Sequence, residues 1–183
     1  GYQAITEFVQ SVPGLVDSCI VQDYGVPRAC PGRYYWIWAW DSLVTMTEAL
    51  RWGDSSNVSN TVRFIERHRD EQGRIPARWT RALEPLDTPS PGGIEFLHLA
   101  LTYEAFLESG DRTDLLQCMP SYRKLFGVVG EQLAREGLAC GEGYYPDLLA
   151  SFGRNERSAV SMEVGSLYTF CRILENIGLV LGD

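Results

Sequence analysis

Apolar residues recur along most of this chain at intervals of three and four, the spacing that lines one face of a helix. Ile5, Phe8, Val9, Val12, Leu15, Val16, Cys19 and Ile20 predict a short helix over residues 2 to 20, interrupted near Pro13-Gly14. Residues 24 to 33 hold two prolines and two glycines and read as a loop. A helix is expected from about Ser42 to Trp52, stopped at Gly53. Asp54 or Ser55 can then cap a second, running through Val58, Val62, Phe64 and Ile65 to about Asp70, which makes a helical hairpin. Residues 71 to 93 have turn residues and no helical period. A strongly apolar helix follows from Ile94 to Leu107, stopped at Gly110-Asp111, and another pattern runs from about Thr113 to Arg135, where Pro120 and Gly127 mark a bend. Residues 137 to 157 form a second long, glycine-rich loop, and an apolar helix from Val160 to Val180 closes the chain.

Three helices therefore end in Gly-Asp, at 53-54, 110-111 and 182-183, which are 57 and 72 residues apart. Those separations fit a repeated helical hairpin whose connecting loop varies in length. Beyond short extended pieces such as 34 to 38, strand signals are nearly absent. The class is all-α, with about six helices that alternate short links at one end and long loops at the other. If the helices run up and down in a ring, the loops at 24 to 40, 71 to 93 and 137 to 159 fall on one rim and build one cleft.

Composition narrows the chemistry. A chain of 183 residues, 45% hydrophobic, is one domain or one part of a larger one. Its net charge of −8 and scattered basic residues argue against nucleic acid and anionic membranes, whose phosphates need clustered Lys and Arg. No apolar run approaches the roughly 18 to 20 residues that span a bilayer, so the expectation is a soluble protein with no membrane partner. The five cysteines form no CxxC pair, and their odd number leaves at least one free thiol, which favours a reducing, cytoplasmic compartment. With His68 and His98 thirty residues apart and no HExxH, neither a metal nor a cofactor is expected. His98 lies inside an apolar helix and reads as a hydrogen-bonded core residue.

The unusual stretch is Tyr34-Tyr35-Trp36-Ile37-Trp38-Ala39-Trp40-Asp41-Ser42, which places three of five tryptophans within five residues, beside one carboxylate. If the segment is extended, Trp36, Trp38 and Trp40 alternate onto one face, and flat indoles beside an acceptor suit a sugar ring. Asp41 equally suits a helix N-cap, its carboxylate facing the positive end of the dipole. Arg78 and Trp79 are candidate cleft residues, or an arginine packed on an exposed tryptophan. Glu95 and Glu163 are candidate subsite carboxylates, or first-turn acids favouring their helix dipoles.

Four passages resemble the first half of the six-hairpin glycosidases, the (α/α)6 toroid of glucoamylases, trehalases, processing α-glucosidases and the amylo-α-1,6-glucosidase domain of glycogen debranching enzymes. They are Tyr35 to Leu43, then Arg63-Phe64-Ile65 through Gln72-Gly73-Arg74-Ile75-Pro76, then Ser90-Pro91-Gly92-Gly93 through Leu101, and finally Tyr145-Pro146-Asp147 with Ser161-Met162-Glu163-Val164-Gly165. The resemblance implies an inverting glycoside hydrolase without cofactor, acting on α-glucosidic or related linkages. It makes Asp147 the general acid, Asp41 the ligand of the sugar hydroxyls and Trp40 part of the subsite wall. A loop with Tyr144, Tyr145 and Pro146 can desolvate Asp147 and raise its pKa. The base, about 6.5 to 9.5 Å from the acid in inverting enzymes, comes from the second half of the toroid in this family. The chain thus reads over 1–183 as a partial catalytic domain, completed by a second half or by self-association. Gly165 replaces the family's Asn. The alternatives are a non-catalytic carbohydrate-binding or structural helical module, or another (α/α)6 enzyme such as a polysaccharide lyase or a glycoside phosphorylase.

Overall fold

The structure, a computed structural model, describes residues 2–32, 35–71, 73–86, 93–136 and 171–182. It is mostly helical, which matches the all-α class. The helices are α1 (Tyr2–Cys19), α2 (Ala39–Leu50), α3 (Ser55–Arg67), α4 (Gly93–Ser109), α5 (Thr113–Glu136) and a further helical segment, α6, across 171–181. Glycines in the left-handed region follow three of them, Gly53 at φ +87°, Gly110 at +70° and Gly182 at +73°, so the Gly-Asp stops have a backbone cause. Asp54 caps α3 by accepting from the Asn57 N–H at 3.3 Å.

The hairpins α2–α3 and α4–α5 pack side by side, with α2 against α3 and α4, and α3 against α4 and α5. The helix α4 is central because it is apolar nearly all round: Ile94, Phe96, Leu99 and Leu101 are buried with Leu43 and Met46 of α2, Val58, Val62 and Ile65 of α3, and Leu115 of α5. An ion pair between Arg63 Nε and Asp114 Oδ1 at 2.5 Å, joined by a hydrogen bond from Ser59 to Asp114, ties α3 to α5.

One expectation changes. Pro13 does not interrupt α1, which is one helix of 18 residues. Pro13 is solvent-exposed, and Val16 beyond it packs against the core. Pro120 lies inside α5, the one helix expected from Thr113 to about Arg135.

The loops also contain short strands. β1 (Ile20–Val21) pairs antiparallel with β2 (Val26–Pro27) across a turn at Gly25, whose φ of +66° and closeness to the Asn60 side chain leave no room for a Cβ. β3 (Ile37–Trp38), β4 (Arg78–Trp79) and β5 (Pro85–Leu86) form a three-stranded antiparallel ribbon. This ribbon joins two of the three long loops, those at 24 to 40 and 71 to 93. The third lies outside the described residues.

Candidate functional site

Strand alternation divides the ribbon into two faces. Ile37 stands opposite Trp79, and Trp38 opposite Arg78, which in turn is opposite Leu86. The Ile37 and Trp79 face is core. Trp79 is fully buried, its ring edge-on to Phe64 at 5.3 Å, and its Nε1–H donates to the His68 carbonyl at 3.3 Å. Trp79 is therefore a packing residue rather than an exposed wall of a cleft; as the strand partner of inward-facing Ile37 it has to point the same way.

The outer face carries Trp36, Trp38 and Arg78. The Arg78 guanidinium lies 4.7 Å from the Trp36 ring centroid and 4.6 Å from that of Trp38, and the two indoles are 6.5 Å apart. Such contacts contribute about 0.5–1 kcal/mol each at exposed sites. Trp36 remains 38% exposed. Beyond the ribbon, Arg81 stacks on Tyr35 at 4.0 Å, both exposed. Arg81 sits in the β4–β5 turn, closed by Leu83 N–H to Thr80 O at 3.0 Å, with Leu83 in the left-handed region at φ 61°.

Trp40 leaves this face. The helix α2 starts at Ala39 rather than near Ser42, because the Ala39 N–H still donates to Ala77 O at 2.9 Å while the chain turns helical. Trp40 thus lies in the first turn of α2, half-buried, and the extended alternation ends at Trp38. The same shift corrects the cap: Trp38 occupies the N-cap position with no side-chain cap hydrogen bond, and Asp41 is the third helical residue. There its carboxyl is half-buried; desolvation pushes its pKa above the usual carboxylate range, against a smaller lowering by its own backbone N–H. Ser42 fixes this turn by donating to Pro27 O at 2.7 Å.

Glu95 is in the first turn of α4 and 1% exposed, and its Oε1 accepts from the Ile75 N–H at 3.1 Å. It anchors the segment leading into β4, as does Asp70, which accepts from both the backbone N–H and Nε of Arg74 at 2.8 Å. Asp147 and Glu163 lie outside the described residues.

A second cluster, which the sequence reading did not assemble, is buried among α3, α4 and α5. His98 Nε2–H donates to Val62 O at 3.1 Å, so its Nδ1 is the acceptor, receiving Tyr122 O–H at 2.9 Å and Arg69 Nη2–H at 3.3 Å. Tyr122 also meets Thr102 Oγ1 at 2.8 Å. Burial, and then the charge of Arg69, push the His98 pKa down to about 3, so the ring is neutral. Arg69 also pairs with Glu66 at 2.7 Å and donates to Gly73 O at 3.0 Å. Glu66, His98 and Cys118 bring ligand atoms within 4.8 Å of one another, a spacing that suits a metal ion. The guanidinium of Arg69, however, already supplies the positive charge there. Burial, followed by the charge of Glu66, pushes the Cys118 thiol up to about 12. A metal would have to expel a buried arginine and strip that proton, so the cluster is a structural network. Its signal in the sequence is polar residues three or four apart at buried helix positions or just past a helix end: Glu66 and Arg69, His98 and Thr102, Cys118 and Tyr122.

Among the described residues Cys19, Cys30, Cys118 and Cys171 form no disulfide, and no helix is long and apolar enough to cross a membrane. No family model, curated protein or solved structure matches this chain.

Proposed function

We propose that this chain is a carbohydrate-acting module, the first half of a six-hairpin glycosidase toroid that hydrolyses α-glucosidic or related linkages with inversion. The observation that carries the reading is the ribbon of β3, β4 and β5. It unites two loops from the same end of neighbouring helical hairpins and carries exposed Trp36 and half-buried Trp38 on its outer face, five and three residues before Asp41 in the first turn of α2. Indoles supply apolar faces for the C–H side of a sugar, and Asp41 accepts from its hydroxyls. Asp147 is the general acid in this reading, and the base belongs to a second half of the toroid, on the same polypeptide or a partner.

A non-catalytic carbohydrate-binding module is the second reading. It is favoured by the use of Glu95, one of the candidate subsite carboxylates, as the acceptor for the Ile75 N–H. Hydrolysis of α-linked glucosides by the natural full-length polypeptide, with and without Asp147→Asn, separates the two. The glycosidase reading expects turnover that the substitution abolishes while saccharide binding persists. Unchanged turnover in Asp147→Asn removes the acid assignment, and saccharide binding without turnover in either protein leaves the binding module.

A further inference from the structure

The apolar stripe of α1 outlasts the core it packs on. Val16 is partly buried against that core, yet residues 2 to 11 are each exposed, and no residue of the helix is fully buried. Tyr2, Ile5, Phe8, Val9 and Leu15 are 54 to 88% exposed. At about 100° of turn per residue, these five and Val12 fall on one side of the helix, within about 140° of arc, while Glu7 and Asp17 lie on the opposite side. Glu7 accepts there from Gln3 Nε2 at 2.9 Å. A side chain of this size carries roughly 100 Å² of apolar surface, so the stripe presents on the order of 500 Å² to solvent, near the upper end of what a monomer shows.

The spacing of the stripe identifies its partner. Tyr2, Ile5, Phe8, Val9, Val12 and Leu15 are placed symmetrically about the midpoint between Phe8 and Val9. A second α1 running antiparallel therefore sets Tyr2 against Leu15, Ile5 against Val12 and Phe8 against Val9, and each pair recurs across a two-fold axis. No charge lies on the stripe, so pairing with its own copy brings no like charges together. The polar side carries acids and neither Lys nor Arg, which disfavours an anionic lipid surface. The antiparallel sense suits a chain of net charge −8. Because α1 meets the core near its C-terminal end, at Val16, a helix of 18 residues puts the two bodies at opposite ends of a pair about 27 Å long. We propose that the exposed face of α1 is a homodimer interface, an antiparallel helix pair about a two-fold axis between Phe8 and Val9. Two such faces bury about 1,000 Å², the lower bound for a specific interface, which sets a dimer in the micromolar range.

The test is light scattering on the full-length polypeptide from about 1 to 100 µM, where a concentration-dependent dimer is expected. Phe8→Asp and Val9→Lys, both at exposed positions outside the core, should each keep the urea midpoint and weaken the dimer about a hundredfold. Mixing the two variants should restore it, because one pair across the axis then joins the new carboxylate to the new ammonium and the other joins Val9 to Phe8. Leu116→Asp, also exposed but on α5, should leave dimerisation unchanged. A polypeptide that stays monomeric throughout this range overturns the inference, as does a dimer indifferent to Phe8→Asp or a mixture that does not recover. Binding of the monomer to phosphatidylcholine vesicles in place of dimerisation overturns it too.

Discussion

Arg69 and Arg78 are nine residues apart, and the chain uses them in opposite ways. Arg69 is buried to 6% side-chain exposure, paired with Glu66 and bonded to the Gly73 carbonyl and His98. Arg78 is held by aromatic faces on the outer side of a ribbon. A buried guanidinium needs a carboxylate and acceptors for its donors, because desolvation of an unpaired charge costs several kcal/mol. A guanidinium over indoles gains from the ring faces instead. The first arginine ties helix and loop together inside the core, and the second packs on the outer face of the ribbon. Arg69 nevertheless supports Arg78, since its bond to Gly73 O, with Glu95 on Ile75, fixes the segment that leads into β4.

The largest test of this contrast is acid. The folded-state pKa of His98, about 3, lies below its ordinary 6.5, so the folded protein binds fewer protons at this ring than the unfolded chain. Its contribution is complete above pH 6.5 and is lost as pH falls toward 3, on the order of 4 to 5 kcal/mol in full. Urea unfolding across that window should show the loss, and His98→Asn should flatten it. An unchanged slope would mean that the network is more open than its burial implies.

Next in size is the arginine comparison itself. Arg69→Ala leaves Glu66 as a buried carboxylate without its partner and should cost about 3–5 kcal/mol, whereas Arg78→Ala should cost about 1–2 kcal/mol from its two ring contacts. Midpoints in urea check this, and equal losses would erase the distinction. Asp41 gives the smallest effect. Its raised pKa means that the folded state favours the neutral carboxyl, so its contribution is present below the ordinary carboxylate range and lost as pH rises through it. Asp41→Asn should therefore raise the melting temperature slightly at pH 7, within about 0.5 kcal/mol because the group is half solvated. The gain should vanish near pH 3.5, and a clear destabilisation at pH 7 would show that the carboxylate has a charged partner.

The helical hairpins were legible because their signals are local: apolar spacing through Val58, Val62 and Ile65, a capping Asp54, and glycines that end helices with positive φ. His98 as core was legible for the same reason, an apolar setting on every side. What it bonds to was not, because Arg69 reaches it from the segment after α3 and Tyr122 from α5. The aromatic segment was half legible. Alternation put Trp36 and Trp38 on one face, but pairing with β4, fixed by residues forty positions away, decided where that alternation ended and took Trp40 out of it. Trp79 was misread for the same reason: as the neighbour of Arg78 it had to face one side or the other, and only its register opposite Ile37 chose the core.

The most direct measurement is a proton–nitrogen correlation spectrum of the tryptophan indole N–H groups, assigned by single Trp→Phe substitutions and titrated with oligosaccharide. The account predicts that the Trp36 and Trp38 signals shift in a saturable way, while the Trp79 signal, bonded to the His68 carbonyl in the core, stays fixed. Stationary Trp36 and Trp38 signals, or shifts that appear first at Trp79, would contradict it.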